Sequence, residues 1–205
     1  MKKYRLTNEK ITIGGRTLYR IQALRDFGDV KEGEFGGWIE SEKNLSHEGS
    51  AWIYGDACVY GDAWVSGDAC VYGDACVYGN AWVSGDAWVS GDACVYGDAC
   101  VYGDAWVYGD AWVYGDAWVS GDACVYGDAD IKTTGDICSM SGFGSALRTT
   151  TAFKTKDGAI HVTCGCFYGN LYEFYNRVEE THGDSLYGRE YKKMIELIKI
   201  HFGVE

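Results

Sequence analysis

Between Gly49 and Lys132 the chain repeats one six-residue phrase fourteen times with no insertion or deletion, from GSAWIY to GDADIK. A run such as GDACVYGDAWVSGDACVYG holds two slots constant, Ala and, two places on, Val or Ile, while the slot between them alternates between Trp and Cys. Self-similarity at a fixed short period is the mark of a solenoid and outweighs any other signal in the chain. Residues two apart on a strand point to the same side, so Ala and Val share one face and the Trp/Cys slot takes the other. A close-packed interior cannot exchange Trp for Cys at equivalent positions without a void or a clash. The Ala/Val side must therefore be the core, and the Trp/Cys side must look outward.

Each unit then reads as a short strand, Ala-x-Val, followed by a Tyr/Ser-Gly-Asp corner. Gly supplies the positive φ of a tight corner, and Asp is expected to bond amides of its own turn. The absence of Pro suits a chain built of regular backbone pairing. The spacing alone does not establish how many sides close one coil. Tyr60, Tyr78, Tyr96 and Tyr114 fall in step at eighteen residues, as do Ser66, Ser84 and Ser120, but the whole repeat does not.

Charge is distributed unevenly. The chain has 30 Asp and Glu against 18 Lys and Arg, yet no Lys or Arg lies between Lys43 and Lys132. That interval carries Glu48, Asp130 and the repeat aspartates Asp56, Asp62, Asp68, Asp74, Asp86, Asp92, Asp98, Asp104, Asp110, Asp116, Asp122 and Asp128. Such a polyanion disfavours direct nucleic-acid binding by the repeat and docking on an anionic membrane. MKKYRLTNEK has no apolar stretch of a secretory leader, and no run is long enough to span a bilayer. A cytoplasmic location with reduced thiols is the expectation for the nine Cys.

Three segments follow: an N-terminal β cap at 1–48, the repeat at 49–132, and a C-terminal module at 133–205. KITIGGRTLYRI predicts a hairpin about Gly14-Gly15. A cap is needed because the end coils of a solenoid expose unpaired edges. TAFKTKDGAIHVTCGCF predicts two strands about a type I′ turn at Asp157-Gly158. Asn170 with Glu173 predicts a capping box for a helix running to Thr181 and stopped at Gly183. A second helix is predicted from near Ser185 to Gly203, with Tyr191, Met194, Ile195, Ile198 and Phe202 as its buried stripe.

The small-x-aliphatic side with its Gly corner resembles the hexapeptide repeat of left-handed parallel β-helices. The run LRDFGDVKEGEFGGWIESEKNLSHEGSAWIYGDA, within residues 1–58, resembles the start of bacterial hexapeptide-repeat proteins assigned as acyltransferases. The resemblance implies three sides per triangular coil, hence nearly five coils rising roughly 4.8 Å each, about 22 Å in all. CGCFYGNLYEFYNRVEETHG resembles a C-terminal ββαα module of prophage-encoded proteins. The fold expected is an all-β, left-handed parallel β-helix with an N-terminal cap and a small C-terminal α+β module.

Family acyltransferases imply a catalytic His and a loop extruded from a coil. Here no His lies between His47 and His161 and no loop interrupts the repeat, so no catalytic residue is assigned. HVTCGC with His182 does not make a zinc site, because Cys164 and Cys166 share a strand face that His161 does not. Under three-sided stacking Cys58, Cys76 and Cys94 form a ladder with Cα atoms in disulfide range, read here as thiols. Single Asp columns offer too few oxygens for tight calcium binding; neither metal nor cofactor is expected.

The candidate binding surface is Trp52, Trp64, Trp82, Trp88, Trp106, Trp112 and Trp118 with Tyr60, Tyr78, Tyr96 and Tyr114, edged by the Asp columns. Contiguous outward aromatics mark an interface. The function expected is that of a non-catalytic, rigid, oligomeric binding protein of phage or prophage origin. It would associate with itself, a trimer favoured, and with a host protein. One alternative is a polyanionic DNA mimic acting on a nucleic-acid-handling enzyme, since three Asp per coil approach the charge density of duplex DNA. The other, disfavoured, is a hexapeptide-repeat acyltransferase.

Overall fold

The computed structural model describes residues 2–204. Strands β1 (Tyr4–Ile13) and β2 (Arg16–Ala23) form the first hairpin and lead to β3 (Phe35–Ile39). Fourteen two-residue strands follow, β4 (Trp52–Ile53) to β17 (Asp130–Ile131), one to a repeat, the twelve between them each a Trp–Val or Cys–Val pair. The C-terminal part comprises β18 (Ile137–Met140), β19 (Thr150–Lys154), β20 (Ile160–Cys164) and β21 (Phe167–Asn170), then α1 (Leu171–His182) and α2 (Leu186–Phe202).

The repeat strands stack in parallel into three sheets, and each residue pairs with its equivalent three repeats on. One face stacks Trp38, Cys58, Cys76, Cys94, Trp112 and Asp130. The second stacks Trp52, Cys70, Trp88, Trp106 and Cys124. The third stacks Trp64, Trp82, Cys100 and Trp118. Three sides per coil, open from spacing alone, is therefore the geometry. The period was obscured because Trp and Cys interchange within a column, where nothing in the core selects between them.

Every repeat Ala and every repeat Val or Ile is buried, in one continuous core cluster. Each buried Val contributes roughly 1.5–3 kcal/mol of apolar transfer free energy. The corners depend on Gly for two separable reasons. Repeat glycines hold φ between 60° and 78°, and they stack so closely that a Cβ on Gly97 would lie 2.9 Å from the Gly115 nitrogen. The Asp side chains do not behave as expected. Among the described residues no repeat carboxylate bonds an amide of its own turn; at Asp62, Asp68, Asp74 and Asp98 the backbone N–H instead donates to the Gly carbonyl one coil on, Asp68 to Gly85 at 2.9 Å. At those four corners coil stacking satisfies the amide without the carboxylate.

The solenoid begins before the repeat does. Trp38 pairs in parallel with Cys58 and Leu45 with Val65, a register two residues wider than that of the repeat. Gly37 stands in the Ala slot of this first coil because a Cβ there would lie 2.4 Å from the Ala57 carbonyl oxygen. Gly14 and Gly15 both adopt positive φ, as the predicted hairpin turn requires.

The C-terminal module differs from its prediction in two respects. Its sheet has four strands in the order β18-β19-β20-β21, not the single hairpin. The β19–β20 turn is also not type I′. Gly158 alone has positive φ there, and its N–H donates to the Thr155 carbonyl at 2.8 Å. That is the longer loop with a left-handed Gly at its end, fixed by the Asp157 carboxylate accepting the Ala159 N–H at 3.1 Å. The helices match their predicted caps: Glu173 N–H donates to the Asn170 side chain, and Gly183 and Gly203 end the two helices.

One face of the four-stranded sheet closes the end of the solenoid. Phe153 and Ile137 join the solenoid core, while Thr151 and Thr163 bond the Cys124 backbone N–H and carbonyl at 3.1 and 2.7 Å. Ala152, Ile160 and Val162 on the other face pack beneath α1 and α2.

Candidate binding surface

The sides of the rod carry the residues singled out in the sequence. Trp64, Trp82, Trp88, Trp106, Trp112 and Trp118 point outward and remain between 39% and 55% exposed. Trp52 does not belong with them. It is fully buried, because the cap crosses its coil and packs Phe27 against the indole with centroids 5.2 Å apart, with Tyr4 beyond at 6.1 Å. The direction of its side chain was legible from the repeat; its cover depends on where the non-repetitive segment returns.

The aromatic side chains stack along the axis. Tyr60, Tyr78, Tyr96 and Tyr114 form one continuous pile with successive centroids 5.0, 4.9 and 5.0 Å apart and rings within 9° of parallel. Trp88 and Trp106 stack at 5.2 Å. Tyr54 with Tyr72 and Tyr108 with Tyr126 make further stacked pairs, none of them among the predicted site residues. Burial pushes the hydroxyls of Tyr60, Tyr78 and Tyr108 up to about 12, so the piles are neutral at ordinary pH. The third face, with Trp64, Trp82 and Trp118, is exposed along its length. The first is covered at its start by Leu18 and Trp38 and overlain at its end by the Lys156 ammonium, 4.6 Å from the Trp112 ring centre.

The aspartates line the corners as three columns. Partial desolvation, then the like charges of Asp86 and Asp122 on either side, raises the Asp104 carboxyl above its ordinary value. Relief occurs where other chemistry intervenes: Asn80 donates to Asp98 at 2.9 Å, Lys43 reaches Asp62 at 2.6 Å, and the Ser50 N–H reaches Asp68 at 2.8 Å. Lys43 holds Asp62 below the usual carboxylate range.

The histidines are dispersed. His161 bonds the Tyr168 hydroxyl at 2.9 Å, His182 stacks on Tyr191, His201 approaches the Gly135 carbonyl, and His47 stacks on Tyr4 inside the cap. Cys166 lies in the β20–β21 turn and not on a strand, while Cys164 faces the helices. Among the described residues no three His, Cys, Asp or Glu side chains are grouped to hold a metal ion. Among the same residues no helix is long and apolar enough to cross a membrane.

Sequence reasoning missed an apolar groove of about 790 Å³ between the β19–β20 turn and the helices, floored by Ile160 and Ile195 and flanked by Tyr172, Tyr175 and Lys199. The available signal was the Tyr172 and Tyr175 pair on α1, which lies off the buried positions Phe174 and Val178.

Stacked parallel coils with an Ala/Val core and outward aromatic columns define a β-solenoid. Residues 51–67 and 75–91 match the family model described as the YdcK beta solenoid repeat. The chain is also 40% identical over 62 residues to a protein of Escherichia coli (strain K12) named uncharacterized acetyltransferase YdcK. That similarity covers 26% of this chain and 19% of the relative, so the chain spans about a fifth of the length of the curated protein it matches.

Proposed function

We propose that this chain is a non-catalytic rigid rod, a left-handed coil of phage or prophage origin. It binds through its aromatic sides to copies of itself, in a trimer, and in that form to a host protein. The observation that carries the reading is the persistence of six outward Trp on the flanks of a rod whose two ends are both covered. Covered ends oppose end-to-end growth, while contiguous indoles on the sides favour lateral contact. The third face is the seam of choice, since neither cap covers Trp64, Trp82 or Trp118. Light scattering coupled to size exclusion tests it. The chain is expected above monomer mass, and Trp82→Ala with Trp118→Ala is expected to shift it toward monomer by tenfold or more in dissociation constant. A monomer at all concentrations would sink the reading.

Acetyl transfer enters through the relative's printed name. It has less support in this chain, because the repeat contains no His and no extruded loop, and the described His side chains are each engaged elsewhere. Stabilisation by acetyl-CoA in a thermal-shift assay would favour that reading over ours.

A further inference from the structure

The first face of the solenoid stacks Cys58, Cys76 and Cys94 in consecutive coils. The Sγ atoms of Cys58 and Cys76 are 2.8 Å apart, one thiol donating to the other sulfur. The two residues are directly paired on adjacent parallel strands, so their Cα atoms are separated by roughly the 4.8 Å strand spacing, inside the range a disulfide spans. Their surroundings differ. Cys58 is sealed beneath Leu18 and Trp38, whereas Cys76 lies half-buried at the margin of that cluster. We propose that Cys58 and Cys76 form a dithiol redox site, closed to an inter-coil disulfide by exchange with a low-molecular-weight disulfide and reopened by the corresponding thiol.

The difference in burial orders the chemistry. Cys76, reachable from solvent, attacks a sulfur of the small disulfide as its thiolate. An S–S bond forms to Cys76 while the donor's S–S bond breaks, releasing one small thiolate. Cys58, which an external reagent does not reach, then attacks the Cys76 sulfur and expels the second small thiolate, which takes up the Cys58 proton. The chain loses two electrons and two protons, and one small disulfide becomes two small thiols. The hydrogen bond from Cys58 favours the thiolate of Cys76 and lowers its thiol, while the same bond and burial push Cys58 up. That polarity matches the order of attack.

The test uses the full chain with Cys94→Ala, which removes the next thiol of the column as a competing partner. After incubation with glutathione disulfide, the denatured protein is alkylated and weighed. Two fewer alkylated thiols than in the reduced sample, restored by a thiol reductant, is the expected result. The double variants Cys58→Ala/Cys94→Ala and Cys76→Ala/Cys94→Ala are expected to lose none. No loss in Cys94→Ala, a stable glutathione adduct in place of closure, or loss that persists in both double variants would overturn the proposal.

A fragment assay does not depend on the double variants folding. No Lys or Arg lies between Lys43 and Lys132, so cleavage before Asp is used. It releases Cys76 in the 74–85 fragment, which contains Asn80 and is distinct from the DACVYG fragments. Oxidised Cys94→Ala should yield that fragment joined to one DACVYG hexapeptide. Its absence counts against the site.

Discussion

In a stack of parallel coils each turn's inner carbonyls accept from the coil before it, so the first coil of the repeat, which the cap coil faces only in part, has carbonyls with no strand to face. Two side chains supply the missing donors. Asn44 Nδ2 donates to the Gly61 and Ala63 carbonyls at 3.0 and 2.9 Å, and Lys3 Nζ donates to Ala51 at 2.8 Å and Gly49 at 3.4 Å. Lys3 is buried completely for this purpose, and burial, then the neighbouring Arg25, lowers its amine from 10.5 to about 8. The consequence for stability has a definite sign. Below pH 8 the amine is charged in folded and unfolded chains alike, and the folded state carries the whole cost of burying it. Between pH 8 and 10.5 the folded chain releases its proton first, the unfolded chain binds more protons, and unfolding becomes harder as pH rises. Relative to Lys3→Met, the wild-type protein is expected to gain on the order of 2–3 kcal/mol across that window, read from urea unfolding at each pH. A flat difference would show that the amine does not titrate in the cap. Neither Asn44 nor Lys3 was legible in the sequence, because a capping donor is recognised only once the chain's return path is known. The Ala and Val slots were legible because the same test of volume is repeated fourteen times.

The elements that close the rod were legible as elements and not as closures. The sequence predicts a hairpin and two helices after residue 133, and each exists. β18 and β21 escaped notice because ICSM and FYGN are four residues long and lack a clear alternation. Their neighbours hid their purpose as well. Phe153 lies in a run, TAFK, whose two faces are both buried, one by the last coil and one by the helices. Without coordinates such a strand could belong to any small α+β module. With them, Phe153 is the plug of the lumen, fully buried against the solenoid core. Phe153→Ala is expected to cost about 3–5 kcal/mol. Hydrogen exchange should show the loss first in the coils nearest residue 131, with the coils near Cys58 still protected. Loss spread evenly over the rod would mean that the stack melts as one unit and that the plug has no local role.

At the scale of the whole molecule, the charge carried by the rod opposes the association we propose. The chain carries a net charge of −12, and its middle contributes no Lys or Arg to offset the Asp columns. Lateral packing of aromatic faces brings those columns from neighbouring copies toward one another, so self-association works against like-charge repulsion at the corners. Apolar burial is insensitive to moderate salt, whereas the repulsion is screened, since the Debye length falls from about 10 Å at 0.1 M to about 3 Å at 1 M. Self-association through the Trp faces is therefore expected to tighten as salt is raised, by several-fold in dissociation constant over that range. A rod that acts instead as a mimic of DNA behaves in the opposite way, because its contacts with a basic cleft are weakened by the same screening. Sedimentation velocity at the two salt concentrations separates the cases: larger species at high salt support aromatic packing. Assemblies that dissolve at high salt would place the Asp columns, and not the indoles, at the contact.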